Sequence, residues 1–199
     1  YTKNAMDYVG SKDALDAMIA LEITVSNYSF QYSKISITLE LAGIEMVTGT
    51  EVYSKCGVNL GRLKAEGDGY FDGVDVLRNK HKADIVMAVM QFDNNDCGGI
   101  AWLGPSDEYA YGFILAESKF PYVAFIHEVG HQLGSYHDRS ISQNEFYPYG
   151  HGMIIPSKNV ATIMAYVSNP ACTNSSCEYI HYFSNPRLDY FGAPMGTVE

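Results

Sequence analysis

Residues 127–138 read His-Glu-Val-Gly-His-Gln-Leu-Gly-Ser-Tyr-His-Asp. On a helix, His127 and His131 stand four residues apart on one face, one turn above the other, so both imidazoles can reach a single ion. Glu128 lies one position on and is rotated by about 100°. It therefore points beside the ion, where a bound water would sit, which is the placement a general base needs. A continued helix would carry His137 to another face, so the chain must break before it. Gly134 supplies the break, because glycine enters the left-handed region without steric penalty and can end a helix and redirect the chain. Three neutral imidazoles leave a fourth zinc position for water, the arrangement of a catalytic rather than a structural site. The chemistry this predicts is metal-assisted hydrolysis.

Chance is a poor explanation, since five such fixed positions should arise in roughly 3 of 100,000 chains of this composition. The competing readings are separate solvated or core histidines, and a zinc ion held only for stability. A zinc-dependent binding or adhesion module without turnover is a further one, against which the carboxylate of Glu128 speaks. A peptidase whose third ligand is a distal carboxylate, Glu145 or Glu178, is another. His81, His151 and His181 are isolated histidines and are set aside as ligands.

Several elements must position these groups. The pattern of residues 122–133 is helical and stops at Gly134. Apolar side chains at Leu15, Met18, Ile19, Ile23 and Tyr28 predict an amphipathic helix over 13–28. Strict alternation over 34–41 predicts a strand with Ile35, Ile37, Leu39 and Leu41 on one buried face. Gly67, Gly69 and Gly73 mark a loop before a short helix at 74–81, and residues 84–90 read as a central strand apolar on both faces. The run Gly98-Gly-Ile-Ala-Trp-Leu-Gly is strand-like and bracketed by glycines, which places it near a sheet edge. Aromatic, Gly and Pro residues then dominate through 156, with Asn169-Pro170 and Asn185-Pro186 as later breaks.

The chain has 199 residues, 47% of them hydrophobic and 18% charged, enough for one domain with a real core. Its formal charge of -10 and the absence of any basic cluster exclude a phosphate-tracking nucleic-acid surface and argue against an anionic membrane surface. The longest strongly apolar run, about 85–90, is far short of the roughly 20 residues a spanning helix requires. Cys56, Cys97, Cys172 and Cys177 lack the CxxC spacing of a four-thiolate zinc site. Two disulfides are the better reading. Of the three connectivities, Cys172 with Cys177 and Cys56 with Cys97 is favoured, because the former enclose only Thr-Asn-Ser-Ser; four buried thiols are the alternative. Disulfides would imply an oxidising compartment. The opening at Tyr1 has no signal-like segment, so any secretory leader is expected to have been removed or left out.

The motif resembles the metzincin clan of zinc endopeptidases, whose HExxHxxGxxH consensus is met at every fixed position. Ala161-Thr-Ile-Met-Ala-Tyr looks like the clan's Met-turn, with Met164 as the methionine beneath the zinc imidazoles. Asp138, directly after the third histidine, is similar to the adamalysin (reprolysin) branch. The runs Leu77-Arg-Asn-Lys-His-Lys-Ala-Asp-Ile-Val and Cys97-Gly-Gly-Ile-Ala-Trp resemble bacterial secreted reprolysin-like and peptidyl-Asp metallopeptidases, with Gly150-His-Gly and Ser184-Asn-Pro as supporting signatures. Gln132 departs from the Asn common in adamalysins, and Met164-Ala-Tyr166 is closer to the Met-x-Tyr of astacins and serralysins.

The resemblance implies an α/β (mixed α+β) fold: a single catalytic domain over 1–199, with a twisted, mostly parallel sheet and helices to about 134 and a smaller irregular C-terminal lobe over 135–199. It implies one catalytic zinc on His127, His131 and His137, with Glu128 as base and Tyr166 as a phenol donor to the oxyanion. Gly134, Asp138 and Met164 would support the site. The edge run, with Gly99, Ile100, Ala101 and Trp102, would bind an extended polypeptide substrate through its main chain. Specificity would come from a pocket near 167–170, where Arg139, Lys158 or Arg187 could favour acidic residues. A secreted monomer is expected, with a pro-segment blocking the metal in its precursor, and with neither nucleic acid nor membrane as partner. The acidic stretch at 93–96 lacks the spaced ligands of a calcium loop and reads as a solvated turn.

Overall fold

A three-stranded sheet carries the helix that bears the first two histidines. In the computed structural model, which describes residues 1–53, 55–93, 97–118 and 123–198, the chain divides into two compact units. The first comprises Tyr1–Thr24 and Glu40–Leu133, and the second Val25–Leu39 and Gly134–Glu199. The described elements mix α and β structure.

In the first unit the strand order is β1 (Val86–Met90), β3 (Tyr111–Leu115), β2 (Gly99–Ala101). β1 runs parallel to β3, with Val86 opposite Tyr111, and β2 runs antiparallel to it, with Ile100 opposite Phe113. The predicted strand at 84–90 therefore forms, but β3 is the middle strand. All five of its residues are buried. An unbroken apolar run is what a strand covered on both faces requires. Leu60 and Leu63 of α3 (Cys56–Lys64), with Phe71, Met90, Phe92 and Phe113, fill the core beside it. Phe92 meets Phe113 edge-on at 6.0 Å. The helix α5 (Ala124–Gln132) packs on β2 and β3. Cys56 is bonded to Cys97, which ties the start of α3 to the residues leading into β2.

The first helix, α1 (Lys3–Val9), starts at Thr2, whose hydroxyl accepts from the Ala5 N–H, and ends at Gly10 with φ 103°. Thr2 also donates its N–H to Val89 O on β1. Helix α2 (Lys12–Tyr32) extends beyond the predicted 13–28. Its buried stripe is Leu15, Glu22, Ser26, Ser29 and Phe30, more polar than expected, while Tyr28 is exposed and stacks on Tyr32. The short helix predicted at 74–81 is present as α4 (Val74–His81).

Residues 34–41 do not form the predicted strand. Alternation makes a strand only where another strand completes the ladder, and none does so among the described residues. Instead Asn27 acts as the neighbour. Its Nδ2 donates to Leu39 O at 3.0 Å and its Oδ1 accepts from the Leu39 N–H at 2.7 Å. Ile37 and Leu41, expected inside, are exposed at 38% and 47%.

The second unit has short strands: β4 (Ile154–Ile155), β5 (Val160–Ala161) and β6 (Glu178–Tyr179) in one sheet, and the hairpin of β7 (Asn185–Tyr190) and β8 (Ala193–Met195). Ile155, Val160, Ile180, Ala193 and Met195 form its core. Phe30 stacks on Phe183 at 5.4 Å, and Ser33 Oγ accepts from the Phe183 N–H. Cys172 is bonded to Cys177, so both disulfides have the favoured pairing. No helix among the described residues is long and apolar enough to cross a membrane.

Candidate metal centre

Helix α5 places His127 and His131 as their spacing requires. Their ring centroids are 4.8 Å apart and their planes nearly perpendicular, at 87°. The helix stops at Gln132, and Gly134 follows with φ 90°, in the left-handed region. Glycine is required there twice over, because a Cβ would also lie 2.8 Å from Cε2 of Tyr147. Three residues later His137 joins the other two. One ligand atom from each of the three histidines lies within 4.8 Å of the other two. Zinc bonds to imidazole nitrogen are about 2.0–2.1 Å long, so ligand atoms grouped on this scale can share one ion. Three imidazoles are a donor set that suits zinc.

Glu128 is buried and turned to one side of the two histidines along the helix. Its Oε2 has no hydrogen-bond partner among the described residues. Burial pushes its carboxyl up to about 8. Such an orphaned carboxylate is costly in a packed interior and marks a place where a further polar group belongs. The edge strand β2 is what confines it: a Cβ on Gly99 would stand 2.9 Å from Glu128 Oε1 and 3.0 Å from Phe113 O. Gln132, the residue that departs from the adamalysin Asn, is buried and donates through Nε2 to Val86 O at 3.2 Å. The longer amide thus ties α5 to β1.

Ile100 and Trp102 pack on the core around β3, and the Trp102 ring lies tilted against Tyr109 at 5.5 Å. Among the described residues β2 pairs with β3 alone.

Asp138 is buried and accepts from four donors: Ser140 N–H at 3.2 Å, Ser140 Oγ, Tyr166 N–H at 3.2 Å and Asn169 Nδ2 at 3.3 Å. It therefore joins the chain after His137 to the start of the 166–169 segment. Met164 is 1% exposed, within the buried run 160–165, where Ala165 N–H closes a turn onto Thr162 O. Tyr166 is 39% exposed, and its ring lies 4.2 Å from that of His137.

Of the cations weighed for specificity, Arg139 is paired with Glu145 at 3.2 Å and donates to Pro148 O, while Lys158 and Arg187 are exposed. The two distal carboxylates lie elsewhere: Glu145 faces Arg139 and Glu178 is exposed on β6. Of the acidic stretch weighed for calcium, residues 94–96 lie outside the described residues, as does Tyr122 at the predicted start of the metal-bearing helix.

Two residues take part in ways the sequence did not show. Gly152, in the Gly150-His-Gly signature, leaves no room for a side chain: a Cβ there would fall 2.4 Å from Met164 C and Ala165 N. Asn169, read as a break before Pro170, donates through Nδ2 to both Asp138 and Ser140 Oγ, a contact with no local signal.

Comparison with known proteins adds four findings. The family model described as metallo-peptidase family M12B, reprolysin-like, matches residues 17–138. A peptidyl-Asp metalloendopeptidase of Stenotrophomonas maltophilia is 33% identical over 193 residues, covering 93% of this chain and 44% of its own. One of Xanthomonas campestris pv. campestris is 31% identical over 189 residues, covering 93% and 43%. The chain thus spans less than half the length of these curated relatives. A solved structure described as a chaperone-substrate complex superposes with a TM-score of 0.75 at 22% identity, over 98% of this chain and 30% of that one, a likeness of fold.

Proposed function

The chain belongs to the reprolysin-like M12B family of metallopeptidases, and on that footing we propose that it is a secreted zinc endopeptidase acting on extended polypeptides. The observation that carries this reading is the convergence of His127, His131 and His137 beside a buried carboxyl, Glu128, whose Oε2 lacks a partner among the described residues.

A zinc ion held by those three imidazoles would supply Lewis-acid polarisation of the scissile carbonyl and a lowered pKa for water. Glu128 takes the proton from the attacking water at Oε2, holds it while the carbon–nitrogen bond breaks, and returns it to the leaving amine. Its placement against Gly99 keeps the carboxylate beside the scissile bond of a peptide paired with β2. Tyr166, half-exposed beside His137, donates its phenol to the oxyanion. Asp138 and Gly134 shape the chain around the third imidazole, and buried Met164 lies in the turn whose backbone Asp138 reaches at Tyr166.

An Asp preference, carried in the names of the curated relatives, would need a cation in the specificity pocket. Arg139, Lys158 and Arg187 are the three cations of residues 134–199, and Arg139 is already engaged by Glu145. Lys158 and Arg187 are therefore the better candidates. The two disulfides support an extracellular location. The acidic charge speaks against nucleic acid, while polypeptide substrates and a blocking pro-segment in the precursor follow from the family reading. The working form is a monomer.

The test is digestion of a peptide library with and without a chelator, on protein of measured zinc content. Cleavage that needs zinc and disappears in Glu128→Gln, with zinc retained, is the expected result. Zinc and activity that survive in His137→Ala would move the third ligand to a distal carboxylate.

A further inference from the structure

His151 follows the third histidine by fourteen positions and holds it from two directions. Through the backbone, Tyr136 N–H donates to Gly150 O at 2.6 Å and Gly152 N–H donates to Tyr136 O at 3.1 Å, so His151 and Tyr136 form an isolated bridge. Through the side chain, Nδ1 of the buried His151 ring lies 2.9 Å from the His137 carbonyl oxygen. A carbonyl can only accept, so Nδ1 carries the proton and donates. Nε2 faces Glu145 at 3.8 Å, beyond hydrogen-bonding range, which makes Nδ1 the working atom. Ser184 Oγ donates to the His151 carbonyl and fixes the segment from behind.

The same segment meets the methionine turn. Gly152 leaves no room for a Cβ against Met164 C and Ala165 N. Met153 N–H donates to Thr162 Oγ1 at 2.8 Å, and Thr162 N–H donates back to Met153 O at 3.0 Å. Residues 150–153 are thus hydrogen-bonded to the backbone of Tyr136–His137 on one side and to Thr162 on the other, with Gly152 packed against the Met164–Ala165 backbone.

From this arrangement we propose that His151 is a positioning residue for the third metal ligand. Its Nδ1–H fixes the His137 carbonyl, and Gly150–His151–Gly152 is the spacer between that ligand and the methionine turn. An imidazole can move only about its own χ angles, so the direction of the His137 peptide decides where its ring can reach. The assignment rests on the zinc reading given above and adds to it a residue that touches neither ion nor substrate.

The experiment compares the metal-free parent with His151→Asn, His151→Gln and His151→Phe. Each is titrated with Zn2+ against a chromophoric chelator, its Co2+ absorption spectrum is taken, and its metal-free melting temperature is measured. Asn places an amide donor where Nδ1 stands, Gln places it one bond further out, and Phe keeps a packed ring without a donor. His151→Asn is expected to hold Zn2+ within about threefold of the parent, and the Gln and Phe variants to lose about tenfold or more with altered Co2+ spectra. Equal affinities and spectra in all four overturn the assignment. So does a loss in the Asn variant as large as in the Phe variant, because that marks a packing role alone. Should the Phe variant fail to fold, the Asn and Gln variants decide between them, and equal affinity in that pair is the overturning result. A parent that binds no Zn2+ removes the metal centre itself and the inference with it, an outcome visible before any variant is compared.

Discussion

Gly99 and Glu128 stand so close that a single methyl group on the strand would press on the carboxylate: the Cβ of an alanine at 99 would be 2.9 Å from Oε1 and 3.0 Å from Cγ of Glu128. The backbone oxygen of Phe113 closes the other side at 3.0 Å. Gly99→Ala must therefore displace either the carboxylate or the β2–β3 pairing. The expected outcome is a loss of kcat of about tenfold or more, since misplacing a reacting group by about 1 Å can cost a hundredfold. Zinc content should stay at the parent's level. Wild-type kcat in this variant would show that Glu128 has room to spare.

The elevated Glu128 carboxyl has a stability consequence in the metal-free protein. Folded, it keeps its proton up to about pH 8; unfolded, it releases it near 4.5. Between those values the folded state binds the extra proton, so stability is fully present below about 4.5 and declines as pH rises through about 8. Glu128→Gln carries no such proton. The metal-free melting temperatures of parent and variant should nearly coincide at the acidic end and separate in favour of Gln at the alkaline end, and a pH-independent difference would rule out burial as the cause.

Removal of the Tyr166 hydroxyl separates two roles for that ring. The side chain is half-exposed and lies 4.2 Å from the His137 ring, so Tyr166→Phe retains the ring contact while losing the donor. If the phenol serves the oxyanion, kcat should fall by about a hundredfold with KM and zinc content unchanged. An unaltered kcat would leave Tyr166 as a packed ring.

The two disulfides close loops of very different size, spanning 41 and 5 residues of sequence separation. By loop-closure entropy the larger constrains the unfolded chain by about 4 kcal/mol and the smaller by about 2 kcal/mol. Replacing Cys56 and Cys97 by serine should lower the denaturation midpoint about twice as far as replacing Cys172 and Cys177. The reverse order in urea melts would mean that strain or residual structure outweighs loop entropy here.

The parts of this molecule that were legible in its sequence are those set by local geometry. Four-residue spacing puts His127 and His131 on one face whatever surrounds them, and the positive φ of Gly134 follows from the need to redirect the chain before His137. The short loop between Cys172 and Cys177 is likewise self-contained. Strand β3 was not legible. Five apolar residues have no period to read, and the strand's central place is defined by β1 and β2, which lie on either side of it in space. Residues 34–41 show the converse: a clear alternation that produced no strand because no ladder formed. His151, set aside as an isolated histidine, gave no sign of its role. Its contact runs to a backbone carbonyl fourteen positions away, and no residue type or spacing announces such a bond.

The clasp of Asn27 on Leu39 concentrates at one point what a ladder would distribute. With both main-chain groups of Leu39 held by a single amide and Ile35 N–H bonded to Phe30 O, the stretch that follows the helix is pinned near both ends. The change Asn27→Leu would free its far end while keeping the tether at Ile35.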